Sequence, residues 1–301
     1  MNIKLKIALL LLSGIVSQPL AAQGCSDAGF CSVGNPFKTV NKDIKNYIEV
    51  NAGYGLGEKN TGIISSHIAY TRLFTDRLAM NVKVTGLSAN GNLGTKTNVG
   101  DLFITANYKL NDSDKLKWSG LLGLKIPFTK GNDKINTISL PMPYQSSLGT
   151  YDIIGGLEVG LKKWDFNLAT QIPLSDNKNS YLSNLSSNQG FVSSNLLHRK
   201  PDVLFRSTYK ILLANEQLTL KPNLLFIYHL GNDSYIDQLN QKIEIANSNG
   251  LTLNGNIIAN YKLGANSSIE TSLAAPFIIR KVRPDGLTRA LTFGVTFKQG
   301  F

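Results

Sequence analysis

Apolar and polar side chains alternate along the chain in successive segments from about residue 45 to the C-terminus. In the segment 101–110, one parity holds Leu102, Ile104, Ala106, Tyr108 and Leu110, and the other holds Asp101, Thr105, Asn107 and Lys109, with Phe103 as the exception. Successive side chains of a β-strand point to opposite faces. Each such segment therefore predicts a strand with one apolar and one polar face.

About twelve segments share this pattern, and most have roughly ten to fourteen residues, more than the roughly 5–6 of a typical globular strand. Tilted transmembrane strands need about 9–11 residues, and bacterial single-chain barrels use an even number of strands. The sequence therefore predicts an all-β, up-and-down antiparallel transmembrane barrel. The predicted strands are 45–56, 63–73, 77–88, 99–110, 115–128, 149–161, 163–174, 200–212, 216–230, 250–263, 267–280 and 287–299.

The connections between the predicted strands alternate in length. Even-numbered strands are followed by short turns, such as Thr75-Asp76 and Ala214-Asn215. Most odd-numbered strands are followed by long polar loops, namely 88–99, 129–148, 175–199 and 231–250, whereas 57–62 and 282–286 are short. Outer-membrane barrels have short periplasmic turns and long extracellular loops. This orientation predicts that both termini are periplasmic.

The first residues resemble a secretory signal peptide, because Lys4 and Lys6 precede a short apolar run and small residues follow at Ala21 and Ala22. The predicted organisation is a signal peptide (1–23), an N-terminal segment (24–44) and an outer-membrane barrel (45–301). The two cysteines, Cys25 and Cys31, are expected to form a disulfide in an oxidising compartment. Two alternatives stay open, lipidation of Cys25 and two free thiols.

The last predicted strand ends the chain in an aromatic residue, Phe301. An alternating last strand with a terminal aromatic resembles the signal that outer-membrane barrels present to their insertion machinery. Aromatic residues near strand ends on the lipid-facing parity are expected to form interfacial girdles. They are Tyr108, Trp118, Trp164, Tyr209, Tyr228 and Tyr261.

The formal net charge of +11 raises nucleic acid, anionic lipid or anionic solutes as partners. Export argues against nucleic acid, which leaves outer-membrane lipid and a small-molecule solute. Charged residues on the polar parity are candidates for the lumen wall: Lys83, Asp101, Lys109, Lys117, Lys125, Asp152, Glu158, Arg206, Lys221, Lys262, Glu270 and Arg280. Most are expected to pair across the lumen, and a basic excess would favour anions.

Signals for enzymatic chemistry are weak. His67, His198 and His229 are the only histidines, and no two have metal-ligand spacing. No Gly-x-Ser-x-Gly elbow is present, and His229 has lumen-facing parity, whereas an outer-membrane phospholipase needs its histidine on the lipid-facing wall. Gly53, Gly55 and Gly57 lie in a predicted strand and open no helix. The prediction is therefore a non-enzyme without cofactor or metal.

Three short motifs carry a family resemblance. Val99-Gly-Asp101-Leu-Phe103 with Lys109-Leu110, Ile126-Pro-Phe-Thr-Lys-Gly131 and Gly149-Thr-Tyr-Asp152 resemble strand motifs of a family of outer-membrane transporters. That family is labelled for the meta-cleavage pathway of phenol degradation and is distantly similar to the long-chain fatty-acid channels. This chain departs from it by an inserted loop, 132–147.

The resemblance implies uptake of small, often apolar molecules across the outer membrane of a Gram-negative bacterium. It also implies that the N-terminal segment is a lumen plug, and a periplasmic tail is the alternative. The predicted function is a porin-like channel or transporter for a small apolar or anionic solute. The competing hypothesis is a non-transport surface barrel (an adhesin, a structural or a host-interaction protein) that acts through its extracellular loops.

Overall fold

The computed structural model describes residues 44–113, 116–185, 190–286 and 289–301. Within them, twelve long antiparallel strands form one closed barrel, as the sequence predicts. The strands are β1 Asn46–Gly57, β2 Gly62–Leu73, β3 Leu78–Gly91, β4 Gly94–Asp112, β5 Lys117–Pro127, β6 Asp152–Leu161, β7 Trp164–Pro173, β8 Asp202–Tyr209 continued by Ile211–Leu213, β9 Leu218–His229, β10 Gly250–Lys262, β11 Ser267–Ile278 and β12 Arg289–Gly300.

The barrel closes between its first and last strands. β1 pairs with β12 from Tyr47↔Gly300 to Gly57↔Arg289, and β1 also pairs with β2 along its whole length. The amide of Phe301 donates to the carbonyl of Asn46 at 3.0 Å, which completes the ladder at the chain ends. Closure lets every strand find partners on both sides, and this is the condition for crossing lipid with β-structure.

The two faces of the wall differ as the alternation predicts. On β12, Leu291, Phe293, Val295 and Phe297 are exposed on the outside. On β1, Ile48 and Val50 are likewise exposed, whereas Tyr47 on the other parity is buried. An outward apolar face and an inward polar face are the reverse of a soluble protein and fit a lipid environment.

The connection 88–99, predicted as a long loop, is instead a continuation of β3 and β4 up to a tight hairpin at 91–94. That prediction was wrong. The extension is held by polar cross-strand pairs, with the hydroxyls of Ser88 and Thr97 2.7 Å apart. Because neither face of this extension is uniformly apolar, the alternation that reveals the other strands is missing there.

Two ends of the barrel can be distinguished. Short connections join the strands at the turn end, where both described chain ends also lie, and the connections 128–151, 174–201, 230–249 and 279–288 lie at the loop end. Two of these carry small hairpins, Lys134–Ile135 with Ile138–Ser139 and Ser234–Ile236 with Lys242–Glu244. We call the described parts of these four connections the cap.

No helix among the described residues is both long enough and apolar enough to cross a membrane. The predicted signal peptide, the segment up to residue 43 and the Cys25–Cys31 disulfide lie outside the described residues.

Candidate functional site: the lumen and its cap

The predicted lumen-wall charges fall at different levels inside the barrel. Lys83, Asp101, Lys125 and Asp152 are buried, and Lys109, Glu158, Arg206, Lys221, Lys262 and Glu270 are partly buried. Lys117 is exposed close to the turn end. Arg280 lies beyond the end of β11 and belongs to the cap, because that strand ends at Ile278 and not at residue 280 as predicted.

Two ion pairs join charges in the turn half of the lumen, one between adjacent strands and one between strands separated by a third. Lys221 on β9 lies 2.9 Å from Glu270 on β11, and Lys298 on β12 lies 2.8 Å from Glu49 on β1. These side chains keep one fifth to one third of their surface exposed, so they remain accessible to water. In each pair one carboxylate offsets one ammonium group at this level.

A fully buried ion pair lies nearer the loop end. Lys125 on β5 and Asp152 on β6 are register partners, and their charged atoms are 3.0 Å apart with no exposure on either side chain. The hydroxyl of Thr150 donates to Asp152 at 2.6 Å, and the amide of Gln171 donates to its other carboxylate oxygen. A buried charge needs such multiple partners to offset its desolvation.

The three resemblance motifs converge on this part of the wall. Gly131 and Gly149 have φ values of +65° and +69°. Gly131 packs against the backbone of Leu148, and Gly149 packs against the backbone of Lys130. A Cβ on Gly149 would lie 2.4 Å from the carbonyl of Lys130. Asp101 of the first motif accepts a 2.5 Å hydrogen bond from Ser147. The motifs therefore describe one junction, where the chain leaves β5, enters the cap and returns into β6.

The cap has apolar cores of its own. In one core, Met142 and Leu148 of the first connection contact Leu197 of the second and Ile245 of the third. Val192, Tyr235 and Val282 pack around it, which brings in the fourth connection. A second core joins the β3 extension to the cap through Ala89, Leu140, Tyr144, Tyr181 and Phe191. The four connections thus fold into one structured body at the loop end.

His229 anchors the cap to the wall from the last position of β9. Its side chain has no exposure and lies between two carboxylates, with Nδ1 2.7 Å from Asp202 and Nε2 2.8 Å from Asp233. Both ring nitrogens face carboxylates, so the imidazole joins the start of β8 at Asp202 to the third connection at Asp233. Of the other histidines, His198 lies 2.5 Å from Asp176 at the surface.

Two arginines complete this buried cluster. Arg199 lies 2.5 Å from Asp202, and Arg280 lies 2.6 Å from Asp285 and donates to the carbonyl of Ser248 at 2.8 Å. Burial by itself would raise the pKa of Asp285, but the charges of Arg280 and Arg199 outweigh it and hold that pKa well below its usual range. The carboxylate of Asp285 therefore stays charged and lies within ion-pair distance of both arginines.

The fourth connection crosses the seam between the first and last strands. Arg283 donates two hydrogen bonds to one carboxylate oxygen of Glu58, at 3.0 and 2.8 Å, and so reaches the connection between β1 and β2. Gly286, with φ +69°, lies so close to Met142 and Pro143 that a Cβ there would come within 2.3 Å of the Pro143 nitrogen. The cap is therefore fastened on both sides of the barrel mouth.

An apolar patch on the inner wall was not predicted. Phe103, Ile154, Ala169, Leu204 and Leu225 lie on the lumen parity of β4 to β9 and form one buried cluster, with Leu121 and Ile227 packed against it. The sequence carried one signal of it, since Phe103 breaks the alternation of its strand. The contact between residues so far apart in sequence depends on the register of six strands.

Across the described residues, no three His, Cys, Asp or Glu side chains are placed to hold a metal ion. The wall and lumen together define the class of protein: a closed twelve-stranded antiparallel barrel of the outer-membrane type. No protein-family model matches the chain. No curated protein sequence matches it either.

Solved structures of outer-membrane channels resemble it. The COG4313 outer-membrane channel from Pseudomonas putida F1 superposes with a TM-score of 0.59 at 15% identity, over 89% of this chain and 100% of that one. The NanC porin gives 0.48 at 10% identity, over 84% and 98%. The KdgM porin, in a complex with disordered oligogalacturonate, gives 0.45 at 8% identity, over 85% and 99%. At 15% identity, the likeness to the COG4313 channel shows the fold alone.

Proposed function

We propose that the chain is an outer-membrane channel that passes a small solute through its lumen. The observation that carries the proposal is the partly water-accessible, ion-paired interior of the turn half, inside a wall whose outer face is apolar. A barrel of twelve strands lies between narrow, filled eight-strand barrels and open porins, so its lumen suits a small solute.

Orientation follows from the connections. The short turns and both chain termini are assigned to the periplasm, and the cap to the cell surface, as in outer-membrane barrels generally. A signal peptide over residues 1–23 would deliver the chain, and Phe301 would be read by the insertion machinery. The Cys25–Cys31 disulfide would form in the oxidising periplasm.

The cap would act as a gate at the loop end of the channel. Its buried ion pairs and apolar cores lie across the loop end, so a solute that enters from outside needs the four connections to part. The turn half is open to water by comparison. A narrow and selective pathway is therefore proposed, not a general porin.

The solute class is supported by the patch. Apolar side chains pack together inside the barrel, and a molecule with an apolar body would pass them at a lower desolvation cost than a charged one. The resemblance to the transporter family labelled for phenol degradation is consistent with this class, and it rests on the motifs that build the junction of β5, cap and β6. Because most turn-half charges are paired, the alternative of an anionic solute has less support.

Two measurements test the proposal. The first compares the migration of the protein, extracted from outer membranes, on a detergent gel with and without boiling. A compact barrel is expected to give a faster-migrating band in the unboiled sample. A single band at the full mass in both samples, together with recovery of the protein from the soluble periplasm, would contradict the barrel assignment.

The second measurement is ion conductance in planar bilayers. Discrete single-channel steps are expected, because part of the lumen is wetted. A barrel that never conducts, even after the cap is weakened, would favour the competing hypothesis of a surface barrel that acts through its loops.

A further inference from the structure

The two sides of the lumen wall differ in how much of their surface water can reach. On β4 to β9 the apolar patch is buried, and so are polar side chains of the lumen parity such as Thr105, Lys125 and Gln171. On β1, β2, β11 and β12, several side chains of the lumen parity keep part of their surface exposed. They are Asn51, Ser65, His67, Ser272, Thr292 and Thr296. The accessible lumen surface therefore continues from the turn half mainly along the seam, where the barrel closes.

Lys83 on β3 marks the border between the two sides. Its side chain is buried, and its ammonium group lies 4.4 Å from the centroid of the Phe103 ring, over the apolar patch. Thr85, the next residue of the lumen parity on β3, is partly exposed. The positive charge of Lys83 is therefore part of the closed side and not of the accessible surface.

Glycines keep the wall thin beside the seam. Gly53 on β1 and Gly294 on β12 are register partners. A Cβ on Gly53 would lie 3.1 Å from the hydroxyl of Ser65, and a Cβ on Gly294 would lie 2.9 Å from the hydroxyl of Ser272. The two serine hydroxyls thus lie close to the wall, over the glycines. Together with Asn51 and Thr296, which are joined by a 2.9 Å hydrogen bond, these four residues form what we call the polar strip.

The ion pairs of the turn half lead directly into the polar strip. On β1, Glu49 is followed on the lumen parity by Asn51, and on β11, Glu270 is followed by Ser272. Side chains of one parity line one face of a strand. The polar strip therefore continues the surface of these partly exposed charges toward the loop end, and the two form one accessible track into the barrel.

The polar strip offers hydrogen bonds that the apolar patch lacks, because Ser, Thr and Asn side chains both donate and accept them. We propose that the solute crosses the barrel beside the seam, with its hydrogen-bonding groups against the polar strip. Ser65 and Ser272 are then specificity-determining residues, since their hydroxyls lie on the accessible track. This proposal rests on the proposed function, because it places the solute path within the lumen.

Substituted cysteines test which side of the wall the path follows. S65C and S272C place a thiol on the polar strip, A169C places one on the closed side, and S66C places one on the outer face of β2. Each folded mature protein is treated with 2-sulfonatoethyl methanethiosulfonate, and labelling is followed by mass. Wild-type protein is the blank for the two native cysteines. S65C and S272C are expected to react about tenfold faster than A169C, or more, because thiol reactivity depends on exposure.

The same samples are then measured in planar bilayers in potassium chloride. Labelling of S65C or S272C is expected to lower the single-channel conductance by roughly half or more, because the added group narrows the path. S66C is expected to conduct equally with and without labelling. Equally fast labelling of A169C and the two strip variants, no labelling of the strip variants, or labelling of both without a change in conductance would overturn the path.

Failure of the channel proposal has a different signature. A barrel that never conducts refutes the channel, whereas a conducting barrel whose steps ignore labelling at Ser65 and Ser272 refutes only the path beside the seam. Each variant is checked for folding by the gel shift before labelling. Because the polar strip is probed at two positions on different strands, the test stands if one of the two variants does not fold.

Discussion

The ammonium of Lys125 lies 3.0 Å from the carboxylate of Asp152, and neither side chain has any exposure. The two residues are direct partners on β5 and β6, next to the junction where the cap leaves the wall. Each charge of this buried pair depends on the other, because removal of one leaves the other unpaired in a low-dielectric environment.

Replacement of Lys125 by Met should therefore destabilise the barrel by about 3–5 kcal/mol, as breaking a buried ion pair commonly does. The double variant K125M/D152L, which removes both charges, should recover much of the loss. The measurement is the midpoint of the heat-dependent gel shift. K117M, at an exposed lysine of the same strand, is the control and should change the midpoint little. A K125M variant as stable as wild type would contradict the buried pair.

The two tryptophans report on the lipid-facing wall. Trp118 and Trp164 are the only tryptophans, and both are exposed on the outside close to the turn end. Trp164 also stacks on Phe166 and packs against Tyr209, with ring centroids 5.8 and 4.9 Å apart. Aromatic side chains at this level belong at the lipid–water interface.

In reconstituted vesicles, lipids brominated near the headgroup should therefore quench the tryptophan fluorescence more strongly than lipids brominated near the chain ends. W118F and W164F separate the two contributions and should each show the same depth preference. Absence of quenching by either lipid would mean that these side chains do not face the bilayer.

Acidification should leave the bond between Arg280 and Asp285 intact over a wide range. Burial opposes the charged form of Asp285, but Arg280 and Arg199 lower its pKa below the usual value near 4. A lowered folded pKa stabilises the protein fully above the unfolded pKa, and this stabilisation is lost as the pH falls through the folded value.

The variant D285N should accordingly lower the unfolding midpoint by the same amount at pH 7 and at pH 5.5. The difference from wild type should shrink only in strong acid, below the unfolded pKa. D237N is the comparison, because Asp237 lies in a turn of the cap where its carboxylate accepts hydrogen bonds from the backbone amides of Leu239 and Gln241. If the difference in unfolding midpoint between D285N and wild type were already smaller at pH 5.5 than at pH 7, Asp285 would not be held as a charged group.

Weakening of one cap contact should favour the open channel. In G286A, the new methyl group would lie within 2.3 Å of Pro143 and the backbone would keep a left-handed φ, so the fourth connection must move away from the first. Trypsin should cleave after Lys281 and Arg283 faster, and the open probability in bilayers should rise. G264A at the turn end, where a Cβ meets no neighbour within 4 Å, is the control. Unchanged cleavage and conductance would mean that this contact does not hold the cap.

Most of the barrel wall could be predicted because the residues of each strand carry their own alternation of apolar and polar side chains. Residues 101–110 alternate between apolar and polar side chains, and the remaining strands show the same two-residue period. The number of strands and the lengths of their connections can therefore be read from the sequence without knowing any contact. The hairpin between β3 and β4 was missed because its extension rises beyond the apolar band and has no alternation to detect. Arg280 was misplaced for a related reason, since the end of β11 is marked by no change in pattern.

The chain by itself determined the alternation, the approximate number of strands, and which charges share the lumen parity, because these depend only on the two-residue period of a strand. Tertiary structure alone decided which charges meet. It brought Asp202, His229 and Asp233 together from one strand start, one strand end and one loop. It also assembled the cap and the apolar cluster of Phe103, Ile154 and Leu225 inside the barrel. The physical reason is that such contacts depend on barrel register and loop packing, which relate residues far apart in sequence and leave no periodic trace.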